Sequence, residues 1–141
     1  MYCTGVIMKE VLTIFVRIEQ TISVEGQAGS AAIVLFSGYA ESEYFRGNIL
    51  PGAADCQKSN ATGFVLSARY ILEGLDCAGK HCKIFIENNG SPDETGMIRT
   101  KPIVYTDSDS LKWLEHAILE GHISEEKGTV IIHISIKEEN F

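Results

Sequence analysis

The chain has 141 residues, with 19 acidic against 12 basic side chains, a formal charge of −7 and only 3 prolines. This length suits one continuous core rather than two, and 45% hydrophobic with 22% charged residues argues against a disordered or linker-dominated chain. The acidic balance, with no run of Lys or Arg, would repel a phosphate backbone or an anionic bilayer, which argues against nucleic acid and membrane as partners.

In chain order, residues 1 to 7 (MYCTGVI) lack the patterning of the residues after them, and Met8-Lys9-Glu10 leads directly into a patterned segment. The expectation is a loose extension, with Met8 as an alternative start. Val11 to Ile18 is rich in β-branched and aromatic residues and predicts a strand, resumed after a break at Thr21 to Val24. Gly26 and Gly29 mark a turn. Further strands are predicted at Ala31 to Tyr39, Tyr44 to Leu50, Phe64 to Glu73 and His81 to Asn89. After the polar turn NGSPDETG comes Met97 to Tyr105, interrupted by Pro102, and the last strand spans Thr129 to Lys137.

One segment has helical spacing. Leu111, Leu114 and Ile118 recur at i, i+3 and i+7 beside Trp113 and Ala117, with Asp107 or Ser108 to cap the first turn and Gly121 to stop it. One short helix among many strands with short connections predicts an all-β fold, a small antiparallel barrel forming a single domain over residues 1 to 141. Closure removes exposed strand edges.

In the central hairpin, pairing Glu73 with His81 across GLDCAGK sorts the residues by face. One face carries Phe64, Leu66, Ala68, Tyr70, Leu72, Cys82, Ile84, Ile86 and Asn88. The other carries Ser67, Arg69, Glu73, Lys83, Glu87 and Asn89, with Arg69 diagonal to Glu87 and Glu73 diagonal to Lys83.

No apolar run approaches the roughly 20 residues of a membrane span, and no secretory signal is evident, so a cytoplasmic setting is expected. Cys3, Cys56, Cys77 and Cys82 then read as free thiols. Cys77, His81 and Cys82 cluster, but without a C-x₂-C pair they predict no metal site. Phosphate-binding, dinucleotide, zincin and nucleophile-elbow motifs are all missing, so no cofactor is expected. The four histidines are dispersed, and His133 in an Ile-rich strand reads as structural.

Between Leu50 and Asn60 the segment LPGAADCQKSN predicts a functional loop carrying a lone carboxylate, Asp55; capping a turn is the competing role for that residue. YFRGNILPGAADCQ, LSARYILEGLD and IFIENNG, in this order, followed by YTDSDSLKWLEHAILEG, resemble uncharacterised protein family 0311, also known as the domain of unknown function 3237 family. The resemblance covers about residues 9 to 136. It implies a calycin-like barrel and no established activity. Its pattern falls here on Gly52, Asp55, Arg69, Tyr70, Asn88 and Gly90, and the sequence departs from it at Ala53 and Cys56, which make that loop less bulky.

Two readings remain. In one, Asp55, Arg69, Tyr70 and Asn88 line one end of the barrel and bind a small anionic or carbonyl-containing ligand, with or without metal-free acid/base catalysis; Arg69 would hold an anion and Asp55 accept a proton. In the other, the same residues are structural in a non-catalytic module, one that could form a homo-oligomer. A cavity of about 300 Å³ reached by those side chains separates the two.

Overall fold

The computed structural model describes residues 5–140, and most of them lie in nine antiparallel strands. The strands are β1 (Gly5–Glu25), β2 (Gly29–Glu41), β3 (Phe45–Ile49), β4 (Ala54–Asn60), β5 (Gly63–Asp76), β6 (His81–Pro92), β7 (Ile98–Thr106), β8 (Leu119–Glu126) and β9 (Thr129–Asn140). They form one sheet in the order β1-β9-β8-β7-β6-β5-β3-β2-β4, and the pairings β1–β2 and β5–β4 close it into a ring. The expected all-β barrel is therefore the fold, reached by hairpin connections that suit antiparallel strands.

Long strands carry most of the wall. β1 pairs with β9 over Gly5–Val16 and with β2 over Ile14–Glu25, with a bulge between Ile18 and Gln20 where the sequence suggested a break. Residues 5–7, expected to be part of a loose extension, belong to β1; residues 1–4, and with them Cys3, lie outside the described residues. β3 and β4 both sit between β2 and β5. They act as one strand interrupted at Leu50–Ala53: from Ile49 to Ala54 the chain advances five residues while its partner β5 advances only three, from Leu72 to Arg69. The predicted loop thus shrinks to a short excursion around Pro51 and Gly52, and Asp55 lies in a strand.

The ends of the barrel differ. At one end Leu111 and Leu114, 0% and 1% exposed, plug the interior from the β7–β8 connection, and Trp113 packs edge-on against Tyr44. The expected helix is reduced here to one 3₁₀ turn, Lys112–Glu115, without a side-chain cap. Ile118 is exposed, and Leu119–Glu126 is drawn into the sheet as β8, because pairing with β9 satisfies main-chain groups that a longer helix would have satisfied internally. The Asp76 carboxylate ties this plug to the β5–β6 turn, accepting from the Ser108 hydroxyl at 2.7 Å and from the backbone N–H groups of Ala78 and Lys80. The Ser108 hydroxyl, followed by these turn amides, holds the Asp76 carboxyl below its usual range.

The opposite end, where β1 meets β2, β4 meets β5, β6 meets β7 and β8 meets β9, has only tight turns and forms the mouth. Between the two lies a core that includes Leu12, Ile14, Phe45, Leu72, Ile84, Ile86 and Ile134. Pro102 is accommodated in β7 because β8 pairs with that strand only at Arg99 and Thr100, so no ladder bond is required of its missing N–H.

Candidate functional site

Strand alternation decides which sequence-predicted residues face the interior. In the β5–β6 hairpin Leu66, Ala68, Tyr70, Leu72, Cys82, Ile84, Ile86 and Asn88 are all buried, the face expected for them. The register itself is two residues away from the expected one: Glu73 opposes Lys83 and Leu75 opposes His81, because β5 continues to Asp76 and the turn tightens. An even slip leaves every side chain on its face.

Arg69 is on the outside. It lies directly opposite Glu87, with Nε 3.4 Å from Oε1 and its side chain 65% exposed. It therefore does not join Asp55, Tyr70 and Asn88 at the end of the barrel, and the anion-holding role expected of it is not available there. A solvated pair of this kind contributes at most about 1 kcal/mol. Arg69→Met should accordingly shift the urea midpoint by an amount close to measurement error; a loss above about 2 kcal/mol would mean that Arg69 is tied into the fold by more than this pair.

The other three residues share the inner face. Asp55 is opposite Val34 on one side and Ala68 on the other, and Ala68 is opposite Asn88. In that row the methyl of Ala68 is the only side chain between the Asp55 carboxylate and the Asn88 amide, whose main chains stand about 10 Å apart at two strand spacings. One row nearer the mouth run Gln57, Leu66, Gly90, Thr100 and Gly121. The Thr100 hydroxyl donates to Asn88 Oδ1 at 3.3 Å, and Asn88 Nδ2 donates to the Tyr70 hydroxyl at 3.1 Å. Gly90 and Gly121 make room for this chain, since a Cβ on either would lie 2.8 Å from Thr100 Cγ2 or 2.2 Å from its Oγ1.

Asn88, Thr100 and Tyr70 are 1–3% exposed. Burial raises the Tyr70 phenol far above its ordinary pKa, against a smaller opposing effect of the Asn88 hydrogen bond. Tyr70 is thus a neutral hydroxyl in an internally bonded chain. Phe36 packs edge-on against its ring at 5.5 Å, which supports the core role open to it in the sequence.

Asp55 is different. It is half-buried, Gln57 Nε2 donates to its Oδ2 at 2.9 Å, and Oδ1 is buried with no hydrogen-bond partner among the described residues. Burial raises its pKa above the usual carboxylate range, and the Gln57 bond, followed by the nearby Ser67 main-chain N–H, offsets part of that. Gln57, which the sequence did not single out, also lines a groove of about 250 Å³ at the mouth together with Ser23, Ala32, Ser59 and Phe64. Neither this groove nor the larger clefts of about 830 and 530 Å³ are lined by Asp55, Arg69, Tyr70 or Asn88, so among the described residues no cavity is reached by the four side chains together. The signal for Gln57 was its spacing two residues from Asp55, useful only once the segment is known to be a strand.

Among the described residues no group of His, Cys, Asp and Glu gathers to hold a metal. Cys82 points inward while Cys77 and His81 are exposed. No helix there is long and apolar enough to cross a membrane.

No protein-family model matches the chain, and no curated protein matches it significantly. Solved structures do. A protein with unknown function from Clostridium acetobutylicum superposes with a TM-score of 0.79 at 24% identity, over 95% of this chain and 98% of that one. A beta-barrel like protein from Acinetobacter baumannii gives 0.74 at 16% identity, over 95% and 97%. An enzyme from Penicillium herquei gives 0.70 at 12% identity, over 96% and 97%. These likenesses are of fold.

Proposed function

We propose that the chain is a small-molecule-binding barrel of the calycin-like type, a member of uncharacterised protein family 0311, acting in the cytoplasm on an uncharged carbonyl compound that enters at the mouth groove. The half-buried Asp55, inward-facing between Val34 and Ala68, carries this reading. A carboxylate whose pKa is raised by burial is a better proton acceptor than one in water. Gln57 lines the groove and donates to Asp55, so a ligand that displaces the Gln57 amide reaches the carboxylate. Arg69 is outside, and Lys58 and Glu25, which both line the groove, offset one another's charge, which suits an uncharged ligand. The buried Tyr70–Asn88–Thr100 chain keeps the wall behind Asp55 rigid. That a similarly folded Penicillium herquei protein is an enzyme fits catalysis on this scaffold without naming a reaction.

A direct test tracks the α-protons of cyclohexanone in D₂O by proton NMR. Wild-type protein should accelerate their exchange over buffer, and Asp55→Asn should lose about a hundredfold of the enzymatic rate, the lower range for a positioned base. Exchange indistinguishable from buffer, or equal in the variant, would remove Asp55 from the proposed chemistry.

The same variant has a stability signature. Because the folded-state pKa of Asp55 is raised, its neutral form is favoured in the fold, and stability falls as pH rises from the unfolded value toward the folded one. Asp55→Asn should therefore be more stable than wild type near pH 7, by about 1 kcal/mol given that solvent screens its exposed part. The gain should fade toward pH 3, as urea midpoints at both pH values will report.

A further inference from the structure

His133 has partners on both of its ring nitrogens. The β8–β9 register sets it directly against His122, and the two rings stack at 4.4 Å with 10° between their planes. On the outer face of the barrel Ser124 Oγ lies 2.8 Å from His133 Nε2, and both Glu10 carboxylate oxygens lie 3.1 Å from His133 Nδ1. Thr13, opposite His133 on β1, donates its hydroxyl to Glu10 Oε2 and fixes the carboxylate. Three strands thus contribute a hydroxyl, an imidazole and a carboxylate in series. His133 is mostly buried at 20% side-chain exposure, so its ring is held rather than free to turn.

We propose that Ser124, His133 and Glu10 form an acyl-transfer site for esters, separate from the mouth groove. Glu10 holds the Nδ1 proton of His133, which leaves Nε2 as the acceptor facing Ser124. Ser124 Oγ attacks the ester carbonyl carbon while its proton passes to His133 Nε2. The bond to the alcohol oxygen then breaks, and that oxygen leaves with the proton from His133. Water attacks the acyl-Ser124 ester, giving its proton to His133. The proton returns to Ser124 as the carboxylic acid departs.

Two further features supply what the three side chains lack. β7 pairs with β8 only at Arg99–His122 and Thr100–Gly121. Past His122 that edge of β8 has no strand beside it among the described residues, so every second main-chain N–H between Ile123 and Glu126 is free to donate to the carbonyl oxygen, where negative charge develops. Beside Ser124 across the sheet stand Ile131, then Phe15, then Tyr39. The Phe15 and Tyr39 rings stack at 4.9 Å, and all three residues line the 830 Å³ cleft. This apolar floor fits an uncharged ester with an aliphatic or aromatic group.

The test uses two probes on the intact protein. A fluorophosphonate should label wild type, with the adduct mapped to Ser124 by peptide mass spectrometry, and p-nitrophenyl butyrate should be hydrolysed with saturation. Ser124→Ala should lose the adduct, and both it and His133→Gln should lose about a hundredfold or more in hydrolysis, whereas Glu10→Gln, which leaves the base in place but unoriented, should lose about tenfold. An adduct elsewhere or none, or hydrolysis by Ser124→Ala within twofold of wild type, overturns the proposal. The adduct on wild type decides the matter even if a variant fails to fold.

Discussion

Replacing Gly38 with alanine is expected to cost about 4 kcal/mol, combining backbone strain with a forced overlap in a packed wall. Gly38 has φ of +144°, and a Cβ there would lie 1.9 Å from the carbonyl oxygen of Phe15. That oxygen is main chain and cannot turn aside. Gly38 pairs with Val16 at the point where β1 is held by β9 on one side and β2 on the other, so a local shift would disturb two ladders. Urea denaturation should show a much lower midpoint with an unchanged slope. A cost under about 1 kcal/mol would mean that β1 and β2 part there easily, contrary to the close approach that the glycine permits.

Leu114→Ala should cost about 3 kcal/mol, in the range for a buried leucine whose surroundings relax only in part. Leu114 is 1% exposed and sits in a turn with no side-chain cap. Packing therefore adds to the Ser108–Asp76 bond and to the Thr106 N–H donated to Glu115 in holding this turn, and a cavity there loosens the plug as well as the contact. The check is again the urea midpoint, paired with amide exchange in the Leu111–His116 stretch. Exchange should rise there before it rises in β5 and β6. A small loss, under about 1 kcal/mol, would show that the end is closed by other residues.

Faces were legible in the sequence where alternation was strict, as in β5 and β6, and there the assignment survived even a two-residue error in register. β4 was not legible. Its ADCQKSN sequence lacks the branched and aromatic residues of a strand, and it is extended because β2 and β5 pair with it from both sides. Reading it as a loop hid the alternation that aims Asp55 and Gln57 inward and Cys56 outward. The spacing of Leu111 and Leu114 was real, but pairing with β9 claimed the residues from Leu119 onward and ended the helix after one turn. Missing β8 also hid the contact between His122 and His133. Asp55 was visible as a lone carboxylate; its burial depends on three strands at once and has no local signature.

Ring closure has a consequence for how the molecule is made. Glu10 and His133, joined across the β1–β9 seam, are 123 positions apart in the chain. During synthesis β1 must wait for nearly the whole polypeptide before its second neighbour exists, and until then the row from Met8 to Val16 is an unpaired edge. Pairing over so long a separation is slow, because the entropy of a large loop is lost before the contact is gained. Production of soluble protein should thus depend more on translation speed and temperature than its finished stability suggests, with the nascent β1 edge as the point where chains stick to one another.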